Sequence, residues 1–252
     1  MRFLTLARDL RRRKARERQQ LFVAEGVRAV EELLRSPIAP AGVLVAPQLM
    51  EAPRGAALRA AIAAAGCPVE EVGLREFHTA ADTESPQGVL AIAPIPERAL
   101  DRVQAADGLR LMVLDALQDP GNVGTILRTA AALGATATVA LPGTVDLWNA
   151  KVVRGAMGAL FHHQCMAASW EEVDAFRVRA GVELWAADVG GEPLGTMSAP
   201  RRLGLVVGNE GAGLSDETRA RASRTVALPI TSAVESLNVA VATGILLYEL
   251  RP

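Results

Sequence analysis

Cysteine is almost missing: the 252 residues hold only Cys67 and Cys165, with no CxxC spacing. That excludes a disulfide framework and a thiol-redox motif, leaving two ordinary buried thiols of a reducing compartment. Histidine is nearly as scarce, and His78, His162 and His163 have no partners at metal-ligand spacing. No structural zinc or iron site is expected. Aromatic residues make up 4% of the chain, too few for a β-sandwich, which draws on Tyr, Trp and Thr. Neither sign of charge prevails, with 27 basic and 28 acidic residues, so no global field marks a polyanion binder. A long apolar run is lacking too. Leu237 to Leu247 falls short of the roughly 18 residues a membrane span requires. Met1 to Leu10 is interrupted too early by charge to form a signal peptide's apolar region. These absences predict a soluble, cytoplasmic protein with neither metal nor membrane contact.

Apolar residues make up 50% of the chain, enough for a sizeable core of helices on a buried sheet. The basic residues are nearly all arginine, and Arg8, Arg11, Arg12, Arg13, Lys14, Arg16 and Arg18 crowd one N-terminal stretch. Arginine grips phosphate bidentately and stacks on bases, which makes Arg11, Arg12, Arg13 and Lys14 candidate phosphate contacts. The same run also suits a solvated helix face, and an arginine preference can follow from a GC-rich genome.

Residues 1–96 read as a small α/β module. Short strands at Leu21–Ala24, Val43–Ala46, Val69–Val72 and Val89–Ala93 alternate with helical patterns at Glu25–Leu34 and Leu58–Ala65. Pro94, Pro96 and the polar stretch that follows predict a linker over 97–108. Across 109–252 the pattern becomes strand–loop–helix. Strands are expected at 111–114, 136–141, 184–187, 203–207 and 226–228, and helices at Asn122–Leu133 and Leu237–Leu250. Such alternation predicts a parallel sheet covered on both faces.

Three segments of this second region put polar residues in the loop after a predicted strand, where open parallel sheets keep their ligand crevice. The first runs from Asp119 to Thr129. Asn122 stands at the expected helix N-cap, and Arg128 is presented near a helix start, which favours an anion. A plain capped helix with a solvated arginine fits the spacing as well. The second, Leu205 to Ser215, runs a strand into a turn with Gly208, Gly211, Gly213 and one carboxylate, Glu210. It lacks the lysine of a phosphate-binding P-loop. The third, Leu228 to Ala242, ends a strand at Pro229 and enters an apolar helix, with Ser236 and Asn238 at its start. Ser236 reads as a cap. Asn238, inside a helix built for burial, needs partners for its amide.

Taken together, these strings resemble the SpoU-type RNA 2′-O-ribose methyltransferases of the SPOUT superfamily. The likeness rests on Asn122-Val123-Gly124-Thr125-Ile126-Leu127-Arg128-Thr129-Ala130, Gly208-Asn209-Glu210-Gly211-Ala212-Gly213-Leu214-Ser215 and Ser236-Leu237-Asn238-Val239-Ala240-Val241-Ala242. Lys151 to Phe161 looks like the family's connecting segment, with Ala150 where a proline is usual. Phe22-Val23-Ala24-Glu25-Gly26 and Ser85-Pro86-Gln87-Gly88-Val89 are similar to the family's substrate-binding domain, itself like small L30-type RNA binders.

The resemblance implies an α/β fold: a parallel-sheet SPOUT domain with a C-terminal trefoil knot, preceded by a small L30-like domain. It implies S-adenosylmethionine as methyl donor, with Gly208, Leu228, Ile230 and Leu237 lining its pocket. It also implies a homodimer with the active site near the interface, and an RNA substrate, ribosomal RNA before transfer RNA because a whole recognition module is present. Asn122, Arg128, Glu210, Ser236 and Asn238 carry over as catalytic residues. A family arginine at the position of Arg128 is often assigned as base, but guanidinium groups keep their proton in proteins. Arg128 is instead expected to grip a phosphate and orient the hydroxyl, with phosphate or water taking the proton and the other four residues fixing Arg128 and the ribose. Two other classes remain open: a non-catalytic RNA-binding ribosome assembly factor, and a nicotinamide oxidoreductase, which the glycine placement disfavours.

Overall fold

The computed structural model describes residues 2–231 and 233–251. The chain forms two compact units, Met1–Glu97 with Trp148–His162, and Arg98–Leu147 with His163–Pro252.

The first unit opens with helices α1 (Arg2–Leu10) and α2 (Arg13–Gln19). Leu4, Ala7 and Leu10 recur every three residues and are the buried face of α1, as helical periodicity requires. Strands β1 (Leu21–Glu25), β2 (Gly42–Val45), β3 (Val69–Glu71) and β4 (Val89–Pro94) alternate with α3 (Val27–Leu34), α4 (Gly55–Ala64) and α5 (Leu74–Ala80). The sheet order is β1-β4-β2-β3; β4 runs antiparallel to both its neighbours, and β2 pairs parallel with β3.

The basic run is less uniform than its charge suggests. Arg11, Arg12, Arg13 and Lys14 are exposed, whereas Arg16 is buried. Arg16 Nη1 donates to the carbonyls of Leu10 and Arg11 at 2.8 and 3.0 Å, satisfying acceptors that the end of α1 leaves open. Arg12 pairs with Asp9, and Arg13 with Glu17 at 2.7 Å. Only part of the apparent positive charge therefore stands without a local acid.

Two short helices, α7 (Ala150–Gly155) and α8 (Ala159–His162), also belong to this unit. Phe22 of β1 holds their segment by ring contacts to Trp148 at 4.5 Å and to Phe161 at 5.7 Å.

The second unit contains β5 (Arg110–Leu114), α6 (Pro120–Ala132), β6 (Ala137–Ala140), β7 (Gln164–Ala167), α9 (Trp170–Ala180), β8 (Glu183–Pro193), β9 (Leu203–Val207), α10 (Asp216–Arg221), β10 (Arg224–Ala227) and α11 (Val239–Glu249). Its six strands lie in the order β10-β8-β9-β5-β6-β7, and every pairing is parallel. From β5 the chain builds outward through β6 and β7, then returns to place β9 on the other side of β5. Ligands of open parallel sheets bind at such a reversal, beyond the C-terminal strand ends.

The sequence predicts a polar linker over 97–108, yet Leu100 is buried in the core of this unit with Leu109, Leu111 and Val113. Leu100, with Val103 packed partly buried against the same core, anchors the stretch. Strand β7 and helix α9 are not expected from the apolar pattern. Helix α9 nevertheless has a full capping box, with Ser169 Oγ accepting from Glu172 N and Glu172 Oε2 from Ser169 N.

Burial in the core of this unit has a pH consequence. His163 is buried beside Thr138, with Nε2 2.8 Å from the Thr138 hydroxyl. Desolvation, helped by the positive charge of Arg98, pushes its pKa down to about 4. The unfolded chain takes up this proton near pH 6.5 and the folded chain only near 4, so stability is lost as pH falls between the two. Going from pH 7.5 to 5.0 should cost about 2 kcal/mol through this residue. Denaturant unfolding of His163→Gln should show a pH dependence shallower by that amount. Parallel slopes for the two proteins would contradict the assignment.

Candidate active site

The loop after β5 is held from both sides. Asp115 is buried, and its Oδ2 accepts from Ser215 N at 2.9 Å and from the Thr218 hydroxyl at 2.6 Å. Ala116 follows in the left-handed region at φ 56°, and its carbonyl accepts from Asn209 Nδ2 at 2.9 Å. The loops that follow β5 and β9 are thus tied together by polar side chains.

The sequence predicts Asn122 as the cap of α6. The cap is Asp119, whose Oδ1 accepts from Asn122 N at 2.7 Å, with Pro120 at the first helical position. Proline suits that position because its missing N–H would have no partner there. The Asn122 side chain is thereby released for other work.

The loop after β9 closes on itself. Asn209 and Gly213 exchange backbone hydrogen bonds at 3.0 and 2.9 Å, and Asn209 Oδ1 accepts from the amides of Gly211 and Ala212. Gly208 lies against this closure. A Cβ there would stand 2.5 Å from Gly213 O and 2.8 Å from Leu214 N, backbone atoms that cannot swing aside. Gly208→Ala should therefore force the loop open. Overpacking of this kind costs about 1–3 kcal/mol, or roughly 10–100-fold in affinity for a ligand that needs the loop closed. Calorimetric titration with S-adenosylmethionine, the methyl donor that the family resemblance implies, measures it, and unchanged affinity would contradict a donor-binding role for the loop.

The third loop delivers Asn238. The sequence places this residue inside a buried helix; it is instead the exposed N-cap of α11, its Oδ1 accepting from Ala240 N at 2.9 Å and Val241 N at 3.3 Å. Its amide partners are thus the helix end itself and Asn122.

These three loops meet. Asn238 Nδ2 donates to Asn122 Oδ1 at 3.0 Å, and Asn122 Nδ2 donates to Glu210 Oε1 at 2.9 Å. The three side chains sit 116 and 88 residues apart along the chain, so only the fold joins them. They line a cavity of about 820 Å³ together with Ser236 and with Gly208, Leu228, Ile230 and Leu237. Ser236 is exposed and makes no hydrogen bond among the described residues.

Arg128 stands apart. It is exposed on α6, does not line the cavity, and makes no hydrogen bond or ion pair among the described residues. Six residues beyond Asn122 it lies about 9 Å further along the helix and roughly 240° around it. The network expected to fix Arg128 leaves it untouched.

The sequence pattern does not single out Asp115, Asn209 or Asp188 for this site. Asp188 reaches the cavity because β8 breaks its ladder. Its partner register on β10 jumps from Ala186 to Glu192, so residues 187–191 have no partner on β10, as at a β-bulge, while Ala187 still pairs with Val207 of β9. Ala187, Asp188 and Val189 line the wall there.

The cavity's chemistry is mixed in a definite way. Leu214, Leu228, Ile230, Leu237, Val239 and Leu246 supply apolar wall. Asp119, Asp188 and Glu210 supply carboxylates, and no lysine, arginine or histidine among the described residues lines it. Such a cavity suits a ligand with a flat apolar part and positive charge, and is ill suited to a polyphosphate.

Comparison with known proteins decides the family. The SpoU rRNA Methylase family matches residues 110–248, and the MRM3-like substrate binding domain matches residues 5–91. The chain belongs to the SpoU rRNA methylase family. Among SpoU relatives, the 23S rRNA (guanosine(2553)-2′-O)-methyltransferase RlmP of Bacillus subtilis is 32% identical, covering 97% of this chain and 94% of that protein. An AdoMet-bound rRNA methyltransferase from Sinorhizobium meliloti superposes with a TM-score of 0.85 at 30% identity, covering 98% of this chain and 93% of that one. The SpoU methyltransferase AviRb from Streptomyces viridochromogenes, in complex with AdoMet, gives a TM-score of 0.86 at 25% identity, covering 99% and 96%. The α/β fold with its parallel sheet is that of the SpoU methyltransferases.

Proposed function

We propose that this chain transfers a methyl group from S-adenosylmethionine to a ribose 2′-hydroxyl of RNA, with 23S ribosomal RNA as substrate before transfer RNA. The observation that carries this reading is the hydrogen-bonded chain Asn238–Asn122–Glu210 on the wall of a cavity without basic side chains. The donor fits that cavity: its adenine finds apolar wall and backbone polar groups, and its sulfonium finds carboxylates. Gly208, Leu228, Ile230 and Leu237 would hold it. When bound, it supplies an electrophilic methyl group. RlmP, aligned across both regions of this chain, supports the ribosomal substrate.

The residues then divide the work. Asn122 and Asn238 hold Glu210 and the incoming ribose, and Ser236 offers a free hydroxyl at the same wall. Arg128, exposed and unpaired, grips the phosphate beside the target and orients its hydroxyl. Positioning of this kind can contribute several kcal/mol to lowering the barrier. A non-catalytic assembly factor would not keep such a donor cavity. Radiolabel passed from S-adenosylmethionine to unmethylated 23S RNA tests the reading, and label on transfer RNA alone would move the substrate.

The functional division we favour is a substrate-binding region over 1–96, a linker over 97–108 and a methyltransferase region over 109–252. Limited proteolysis cutting first outside 97–108 would count against it. Family likeness supports an L30-like first domain and a trefoil knot at the C-terminal end of the parallel sheet, which an experimental trace of residues 203–249 tests. Homodimerisation is supported by Val241, Ile245 and Tyr248, which leave an apolar face of α11 exposed by 42–54%. A monomeric mass in solution would overturn it. Cytoplasmic residence follows from a ribosomal substrate, and no helix among the described residues is long and apolar enough to cross a membrane. Recovery of the protein outside the cytoplasm would contradict it.

RNA affinity should fall with salt, with a slope magnitude of about 0.7–0.9 per phosphate neutralised. Replacing Arg11, Arg12 and Arg13 with alanine should lower that slope by roughly 2 if all three meet phosphates. An unchanged slope in filter binding would assign the run to a solvated face.

A further inference from the structure

Three carboxylates line the cavity among the described residues, and only Asp188 has hydrogen bonds to both of its oxygens. Asp119 caps α6 through Asn122 N at 2.7 Å. Asp188 accepts from Arg219 Nη2 at 2.6 Å and from Gly190 N at 3.2 Å. Glu210, unlike Asp119, is held by a side chain of the network that joins the three loops, and not by a helix amide. Its Oε1 accepts from Asn122 Nδ2 at 2.9 Å, and its Oε2 makes no hydrogen bond among the described residues.

The polarity of the chain that ends on Glu210 is fixed from the other end. Two backbone N–H groups at the start of α11 occupy Asn238 Oδ1. Asn238 can then offer only its amide nitrogen to Asn122, whose Oδ1 accepts it. With that oxygen used, Asn122 can offer only its own nitrogen to Glu210. Flipping Asn238 would strand the donors at the helix end, and flipping Asn122 would set its nitrogen against Asn238 Nδ2 and its oxygen against the Glu210 carboxylate. Glu210 is therefore approached by a donor, the partner an ionised carboxylate takes, and its second oxygen remains an open acceptor.

Asp188 has both oxygens occupied, and Asp119 is tied to the α6 amide that it caps, outside the Asn238–Asn122–Glu210 chain; the neutral and basic side chains do not serve either. Ser236 is a neutral hydroxyl, and among the described residues it has no basic partner and neither lysine nor histidine lines the cavity. Arg128 lies outside it, and guanidinium is a donor only.

We propose that Glu210 is the proton acceptor of the reaction, an assignment that rests on the ribose methylation proposed above. As the hydroxyl oxygen lone pair forms the new O–CH3 bond, the S–CH3 bonding pair returns to sulfur and neutralises the sulfonium. The hydroxyl proton passes to Glu210 Oε2, giving a neutral carboxylic acid that later loses it to solvent. This places the proton on a side chain, where the sequence points to a phosphate oxygen or water.

Glu210→Gln tests it. Glutamine keeps an oxygen for Asn122 Nδ2 but sets an amide nitrogen where Oε2 stood, turning an acceptor into a donor. The single-turnover rate on unmethylated 23S RNA should fall about 100-fold or more, the usual scale of a lost general base. Affinities for S-adenosylmethionine, by calorimetry, and for RNA, by filter binding, should stay within about threefold, since general-base loss acts on the chemical step. Glu210→Asp, which retains a carboxylate, should exceed the Gln variant by about tenfold or more. A Gln variant within tenfold of wild type, an Asp variant no faster than Gln, or a loss that tracks weaker binding of donor or RNA would each overturn the assignment. Wild-type protein that methylates no RNA would instead overturn the functional reading.

Discussion

Arg128→Ala should lower single-turnover methylation by about 10²–10³-fold, the cost of removing one preorganised donor from a reacting charge. The residue is exposed and unpaired in the folded chain, so its loss should leave stability within about 0.5 kcal/mol. Arg128→Lys separates two roles. A residue that clamps phosphate through a planar fork is poorly replaced by a point charge, so Lys should recover at most about a tenth of the lost rate. A base would behave otherwise. Full recovery in Arg128→Lys, with a new ionisation near the reference lysine pKa of about 10.4, would show that Arg128 takes the proton itself and would count against Glu210 as well.

Asn122→Ala is the second large effect. Asn122 is the sole bridge between Glu210 and Asn238 in the described structure. Removing it frees both ends of the chain, and a misplacement of about 1 Å at a reacting centre can cost roughly 100-fold. The rate should fall by that order. Stability should barely change, because Asp119 and Pro120 still start α6. Asp119→Ala provides the contrast: loss of an N-cap costs about 1 kcal/mol of stability, which Asn122→Ala should not. Equal melting losses in the two variants would mean that Asn122 is structural after all.

That contrast also explains what the sequence could and could not disclose. The three loops were legible because each follows a buried strand and carries a string with a specific likeness. Asn122 looked like a cap because asparagine commonly is one. The better clue was Asp119-Pro120, since proline at the first helical position makes the residue before it the cap. Helix α9 is not read from the sequence, although Ser169-x-x-Glu172 is a capping box and Trp170, Val173, Phe176 and Ala180 stand at helical spacing. Strand β7 has four residues, Gln164–Ala167, with only the inner two buried; nothing in so short a run separates strand from loop.

Other features were beyond local reading. A run of arginines reads as solvated, and only the open carbonyls at the end of α1 show why Arg16 turns inward. The capture of 148–162 by the first unit depends on Phe22 meeting Trp148 and Phe161, a packing match between segments more than 120 residues apart. Asp115 and Asn209 are ordinary loop residues until the fold brings Ser215 and Ala116 to them. Periodicity finds elements, whereas partners across the chain come only with the fold.

The central claim is that the wall formed by Asn122, Glu210 and Asn238 methylates a ribose. Mapping 2′-O-methyl groups across ribosomal and transfer RNA, in cells with and without the gene, tests it most directly. A single ribose methyl on 23S RNA should vanish with the gene and return with the wild-type chain, but not with Asn122→Ala. Identical maps in the two strains would contradict the account.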